Sequence, residues 1–348
     1  MVSARAIEVR TERGYSSAGG GREPFFASVR CARASGVATE QQPSASPSRA
    51  ALARFSFAWW LTGAAFAYLA AVTLAWLLVR FASDVWWPAS LLLFGPIWLF
   101  GTPLLVLVPA ALVSRRRLLL PLGVAAVVFA WPLMSFPVSS RGLARAVGGA
   151  SAPAGSLRVM TLNVGGGSKD PAELGRVISE IDPHVAVFQE CIDALDEKSL
   201  REKGYVVELG PGMCLVSKLP LRSVDMIERS GLEDRTGAGK VMMYTFDFDG
   251  RDICVFNLHL ETIREGIEGL RSRKLSGGSA MEANIGTRNR ESERARGHAD
   301  KQTVPLILAG DFNMPVESAI YRRWWSGFEN AFSQAGLGYG RTKTTRFF

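Results

Sequence analysis

The sequence predicts an α/β domain carried behind about three transmembrane helices, and three observations predict it. The first is a division of composition. Overall the 348 residues are 48% hydrophobic and 21% charged, ordinary values for a globular protein. Between Phe55 and Val138, however, there is one acidic residue, Asp84, four basic ones, Arg80 and Arg115–Arg117, and seven of the nine Trp. That is the make-up of lipid-facing segments. The second observation is a strand–helix–strand pattern beginning at Leu157, and the third is a set of polar residues that each stand at the end of an apolar strand.

Residues 1–54 are rich in Ala, Ser, Gly and Arg, and hold too few large apolar side chains to fill a core. They read as a disordered N-terminal tail or as a start codon placed too far upstream. Three apolar stretches follow, at about 55–79, 85–113 and 118–138, each close to or above the ~20 residues that cross a bilayer as a helix. The second carries Pro88, Pro96, Pro103 and Pro109 and is the least regular. Arg49 and Arg54 precede the first stretch and Arg115–Arg117 separate the second from the third, whereas Arg80 between the first two is offset by Asp84. Basic residues mark the cytoplasmic side. The reading is therefore a multi-pass protein of the cell (inner) membrane with the C-terminal domain extracytoplasmic. Residues 139–156, rich in Gly, Ala and Ser, read as a flexible linker.

From Leu157 onward, 26 Lys/Arg face 27 Asp/Glu, so the isoelectric point near 9.6 belongs to the N-terminal part. A strongly basic nucleic-acid surface loses its main support. LRVMTLNV (157–164) reads as a buried strand, and Asp170, Pro171 and Glu173 as a capped helix start. Leu174, Val177, Ile178 and Ile181 form one apolar helical face, which Asp182-Pro183 ends. HVAVFQE (184–190) is a strand apolar on both faces. Strands follow at about 212–218, 240–249 and 251–260, the last two joined by the tight-turn pair Asp249-Gly250. A polar helical region, a candidate lid, covers about 261–302, and VPLILA (304–309) is another buried strand.

Asn163, Glu190, His259, Asp311 and Asn313 lie at or near strand ends, where α/β sheets gather ligands. Asp311 and Asn313, two apart, point the same way in an extended backbone. Singly, each has an ordinary structural explanation. His259 could be a satisfied sheet histidine, Asn163 a turn cap, Glu190 an arginine's partner, and Asp311 the cap of a helix starting near Pro315.

In order, LNV (162–164), QE (189–190), NLHLE (257–261) and GDFN (310–313) resemble the motifs of the endonuclease/exonuclease/phosphatase superfamily. The resemblance covers Leu157 to about Arg346. It implies a four-layer α/β/β/α sandwich and Mg2+-dependent cleavage of phosphate esters, with Mn2+ as the alternative ion. By motif, Glu190 is the principal metal ligand and Asn163 helps place metal or ligand. His259 contacts the scissile phosphate or protonates the leaving group. Asp311 orients or deprotonates the attacking water, and Asn313 hydrogen-bonds the phosphoryl oxygens. The family's following Arg-Ile-Asp strand and terminal Ser-Asp-His motif have no counterpart before Phe348, so the reading is a C-terminally incomplete domain lacking its last strands, a fragment first of all.

The partners expected are the lipid bilayer and a phosphate-ester substrate, namely a phospholipid headgroup, a small phosphodiester or nucleic acid; no protein partner is evident. The competing reading is a catalytically dead, truncated relative acting as a membrane-bound binding or scaffold protein. Cys191, Cys214 and Cys254 read as buried free thiols, with Cys214 and Cys254 the pair favoured if a disulfide forms.

Overall fold

The computed structural model describes residues 49–148, 155–165, 170–227, 239–271, 277–340 and 342. Most of the expected N-terminal tail, part of the linker and the end of the chain lie outside these residues. The apolar region consists of α1 (Arg49–Leu77), α2 (Trp87–Phe94), α3 (Leu104–Ser114) and α4 (Leu119–Val128), and a short helix α5 (Ser140–Ala146) follows it. Three helical runs are long and apolar enough to cross a membrane by length and composition: Ser56–Ala82, Ile97–Ser114 and Arg116–Leu133. They share a core that includes Leu61, Val72, Leu118 and Leu122.

The expected second stretch at 85–113 is not one helix. Its first part is α2, which Pro88 opens at the second helical position, and Gly95 ends α2 in an extended conformation before Pro96. The residue before a proline avoids the helical region, so the chain breaks there, and only the part from Ile97 onward is a candidate span. Two other boundaries move. Helix α1 begins at Arg49, inside the expected tail, and part of the expected linker is α5, tied by the Ser139 hydroxyl donating to the Gly336 carbonyl (2.8 Å).

The α/β domain contains β1 (Val159–Asn163), α6 (Pro171–Ile181), β2 (Val185–Gln189), α7 (Glu197–Glu202), β3 (Val206–Leu209), β4 (Met213–Ser217), β5 (Leu221–Ile227), β6 (Lys240–Phe248), β7 (Arg251–His259), α8 (Arg264–Arg271), α9 (Gly277–Ala299), β8 (Leu306–Asp311), α10 (Ala319–Trp324) and α11 (Ala331–Ala335). Two four-stranded sheets form, ordered β1-β2-β4-β3 and β5-β6-β7-β8. Alternation along each strand assigns the layers. On β2, Val185 and Val187 meet Met242, Tyr244 and Val255 of the other sheet, while Ala186 and Phe188 face Leu174 and Ile178 of α6. On β7, Phe256 and Leu258 pack against Ala295 and Ala299 of α9 and against Trp325. The result is a four-layer α/β/β/α sandwich.

Several local signals act as the sequence predicts. The Asp170 carboxylate accepts from the Ala172 amide, and Pro171 opens α6. Asp249 and Gly250 both have positive φ in the β6–β7 hairpin. The cysteines differ from expectation. Cys191 and Cys214 form a disulfide, and Cys254 is a buried free thiol. Cys214 and Cys254 cannot pair because they lie on different sheets and point to opposite outer layers.

The apolar region also touches the domain. Trp87, Leu91 and Phe94 pack with Ile263, Met281, Ile285 and Ile320 in one cluster. Half-buried Glu317 lies beside this junction, and burial pushes its carboxyl above the usual range against the opposing effects of Ser135 and Arg322. A carboxyl raised on folding loses stability as pH rises from the unfolded value of about 4.3 through the folded one. Glu317→Gln removes that charge. The variant's thermal midpoint, relative to the unmodified chain, is expected to be higher at pH 8 than at pH 4 in detergent melts. A difference independent of pH would contradict this.

Candidate active site

The site forms where both sheets end on the same side. Asn163 closes β1 and Glu190 follows β2, in register across a parallel pair that aligns Asn163 with Gln189. His259 closes β7 and Asp311 closes β8, and these two are register partners in the second sheet. Asn163 joins the sheets: its Nδ2 donates to Glu190 Oε1 (2.9 Å) and to Asp311 Oδ2 (3.0 Å). Its Oδ1 accepts from the Gly165 amide (2.9 Å), which fixes the amide plane. His259 Nε2 stands 3.5 Å from Glu190 Oε1.

Two backbone conformations aim these groups. Glu190 (φ 52°) and Asn313 (φ 49°) are both left-handed, a costly state for residues other than glycine that concentrates at functional sites. At Glu190 it turns the carboxylate out of the all-buried β2 and toward Asn163. At Asn313 it overturns the expectation that Asp311 and Asn313 point the same way. The chain bends instead, so Asp311 Oδ1 accepts from the Asn313 amide (2.9 Å) and Asn313 Nδ2 donates to the Leu260 carbonyl (2.7 Å). Asp311 caps its own turn, while Ser318 caps α10.

Beneath the site lies a polar pair that sequence reasoning missed. Gln189 Nε2 donates to Asn257 Oδ1 (2.6 Å) and to Thr161 Oγ1 (3.2 Å), and Asn257 Nδ2 donates to the Phe188 carbonyl (3.0 Å). Gln189 and Asn257 are buried, and they lock the two sheets together directly under the site. The signal was present, since each occupies an inward position of an otherwise apolar strand.

His259 is buried, and burial holds its imidazole below the usual histidine range. Asp311, Glu190 and Glu261 pull the other way, and Lys240 opposes them. His184 and His298 lie elsewhere: His184 Nδ1 accepts from the Arg158 amide at the opposite end of β1, and His298 ends α9. Glu190, with a side chain 36% exposed, converges with Asp311 on one neutral amide. Such a net-negative oxygen set fits a hard divalent cation, which takes one or two carboxylates and keeps several waters. Among the described residues no group of three or more His, Cys, Asp or Glu side chains forms an all-protein cage.

Solved structures to which the chain is similar include a D. rerio TDP2 humanized by 14 mutations, 16% identical, with a TM-score of 0.35. That match covers 46% of this chain and 64% of the TDP2 chain. The human Nocturnin catalytic domain with bound sulfate anion is 20% identical, covering 49% and 69% respectively, with a TM-score of 0.36. Sphingomyelinase C from Streptomyces griseocarneus is 16% identical, covering 49% and 68%, with a TM-score of 0.35. This chain thus spans about two thirds of the length of the structures it matches. No curated protein sequence matches it. The profile described as Endonuclease/Exonuclease/phosphatase family matches residues 160–348, over half the chain and all but the first residue of the two-sheet sandwich, and the chain belongs to that family.

Proposed function

We propose that this chain is a membrane-tethered, metal-dependent hydrolase of phosphate esters whose catalytic domain lies outside the cytoplasm. The observation that carries the reading is the Asn163 amide, which draws Glu190 of one sheet and Asp311 of the other onto a single point beside His259. Glu190 would hold Mg2+, or Mn2+ in its place, with Asn163 orienting its carboxylate. The metal supplies positive charge against the charge that grows on the phosphoryl oxygens.

The chain's own groups do the rest. Asp311 takes a proton from the attacking water as its oxygen bonds to phosphorus, and the ester P–O bond opposite breaks. His259 donates a hydrogen bond to the scissile phosphate or a proton to the leaving oxygen, a role worth about 10²- to 10⁴-fold in rate. Asn313 has one amide hydrogen left after the Leu260 carbonyl to offer a phosphoryl oxygen. The domain's near-neutral charge favours a phospholipid headgroup or small phosphodiester over a nucleic-acid backbone, which calls for a basic groove.

Two features support the extracytoplasmic placement. The Cys191–Cys214 disulfide suits an oxidising compartment. The segment between the first two candidate spans packs on the catalytic domain, so both stand on one side, opposite the Arg115–Arg117 turn. A phosphatase reporter fused after Ser139 should be active outside the cytoplasm, and activity only from a cytoplasmic reporter would reverse the orientation. For the chemistry, the full chain in detergent should hydrolyse bis-p-nitrophenyl phosphate with Mg2+ and stop on adding EDTA. No cleavage with any divalent ion would favour the binding or scaffold reading.

A further inference from the structure

The apolar region does more than border the domain: it also packs on the residues that hold the site loop, Met314 and Arg288 among them. Arg288 of α9 is fully buried. Its Nη1 donates to the Asn313 carbonyl (3.3 Å), its Nη2 to Asn284 Oδ1 (3.3 Å), and its guanidinium carbon lies 5.2 Å from the centre of the Phe94 ring on α2. Its Nε has no hydrogen-bond partner among the described residues. The charges of Asp84, Glu261 and Glu291 all favour the cation, against the cost of burial.

Asp84, the one acidic residue between Phe55 and Val138, is itself buried in the turn before α2, with φ at 59°. Its Oδ2 accepts from the Ser318 hydroxyl and from the Ile320 amide (3.3 Å) at the start of α10. Helix α9 also grips the other side of the site. Glu291 Oε2 accepts from the Glu261 amide (2.7 Å), and Asn284 donates to the Thr262 carbonyl, both just past His259. At the start of α9, Gly278 lies against Trp87: a Cβ there would be 3.0 Å from the indole nitrogen.

A mere anchor needs none of this. Lipid-facing segments do not place a carboxylate inside the soluble domain, and a buried cation without its counter-charge and ring partner is costly. We propose that the turn and helix 83–94 are a structural part of the catalytic site, with Arg288 a positioning residue that holds the Asp311–Asn313 turn in place against the Phe94 ring and within the field of the Asp84 carboxylate. The inference rests on the reading that Asp311 and Asn313 serve the reaction.

The test uses the full chain in detergent with Phe94→Leu, Asp84→Asn, Arg288→Gln and Arg288→Lys. Two readouts are hydrogen exchange of the 310–316 amides and the separate kcat and KM for bis-p-nitrophenyl phosphate. The membrane-side variants are expected to speed exchange at 310–316, leave β6 and β7 unchanged, and lower kcat about five- to tenfold with KM within about twofold. Arg288→Gln should do more, Arg288→Lys should recover part of the loss, and Asp84→Asn should add little on top of Arg288→Gln. If Phe94→Leu and Asp84→Asn both fold and leave exchange and kcat at the unmodified values, the inference is overturned. Should Arg288→Gln fail to fold, the two membrane-side variants decide alone. Should the unmodified chain show no turnover, the phosphoesterase reading fails by itself and the exchange data still decide the coupling.

Discussion

Glu190→Gln is expected to lower the Mg2+-dependent turnover of bis-p-nitrophenyl phosphate by about 10²- to 10³-fold while leaving the thermal midpoint nearly unchanged. The side chain is isosteric, so its carbonyl oxygen can still accept from Asn163 Nδ2, and the left-handed turn that aims it needs no charge. What is lost is the anionic oxygen, and removing one preorganised electrostatic contact typically has that effect. If Glu190 holds the metal, the Mg2+ concentration for half-activation should also rise, by about ten- to a hundredfold.

Asp311→Asn separates the roles. It keeps the turn, because Asn Oδ1 can accept from the Asn313 amide as Asp311 Oδ1 does. It should cut turnover by about 10²- to 10⁴-fold through loss of the base and of the bond that Asn163 Nδ2 gives to Oδ2, with a smaller shift in Mg2+ dependence than Glu190→Gln. Turnover within threefold of the unmodified chain in Glu190→Gln would remove Glu190 from the centre of the site.

Much of the sandwich was legible because its signals are local. A run such as Val185–Gln189, buried at every position, announces a strand covered on both faces. Asp170-Pro171 and Asp249-Gly250 report backbone conformations that few other residue pairs favour. The positions of the candidate site residues at strand ends were legible, but the directions of their side chains were not. Where a side chain points after a strand depends on the φ of one residue, and Glu190 and Asn313 both take the left-handed value that spacing alone cannot foretell.

The disulfide was missed for a related reason. Pairing Cys214 with Cys254 assumed one sheet, whereas the strands that carry them belong to two. Helix α2 was hidden because apolar residues read alike whether they face lipid or a protein partner. Here Trp87, Leu91 and Phe94 face the domain. Asp84 gave no warning either, since a charge in a turn between two apolar stretches is ordinary, and only the structure shows it buried.

Gly310→Ala should be among the most destructive single substitutions in the chain, although it adds one methyl group. Gly310 pairs with Leu258 in the parallel β7–β8 ladder, at φ 134°, a region closed to other residues. A Cβ there would lie 2.0 Å from the Leu258 carbonyl oxygen and 2.6 Å from its nitrogen. Both are backbone atoms of a buried central strand, so neither can rotate away. The ladder must open, and Asp311, the next residue, moves with it.

Strain and lost pairing together should cost at least about 3–5 kcal/mol, a large part of the about 5–15 kcal/mol that holds a domain folded. Gly204→Ala supplies the control. Its φ of 85° is also left-handed, but an added Cβ meets nothing within 4 Å, so the cost should be about 1–2 kcal/mol from backbone conformation alone. Thermal melts of the two variants should therefore separate clearly, with Gly310→Ala lost or far lower. Equal midpoints would mean that the close approach of β8 to β7 at Leu258 does not hold the site's aspartate in place.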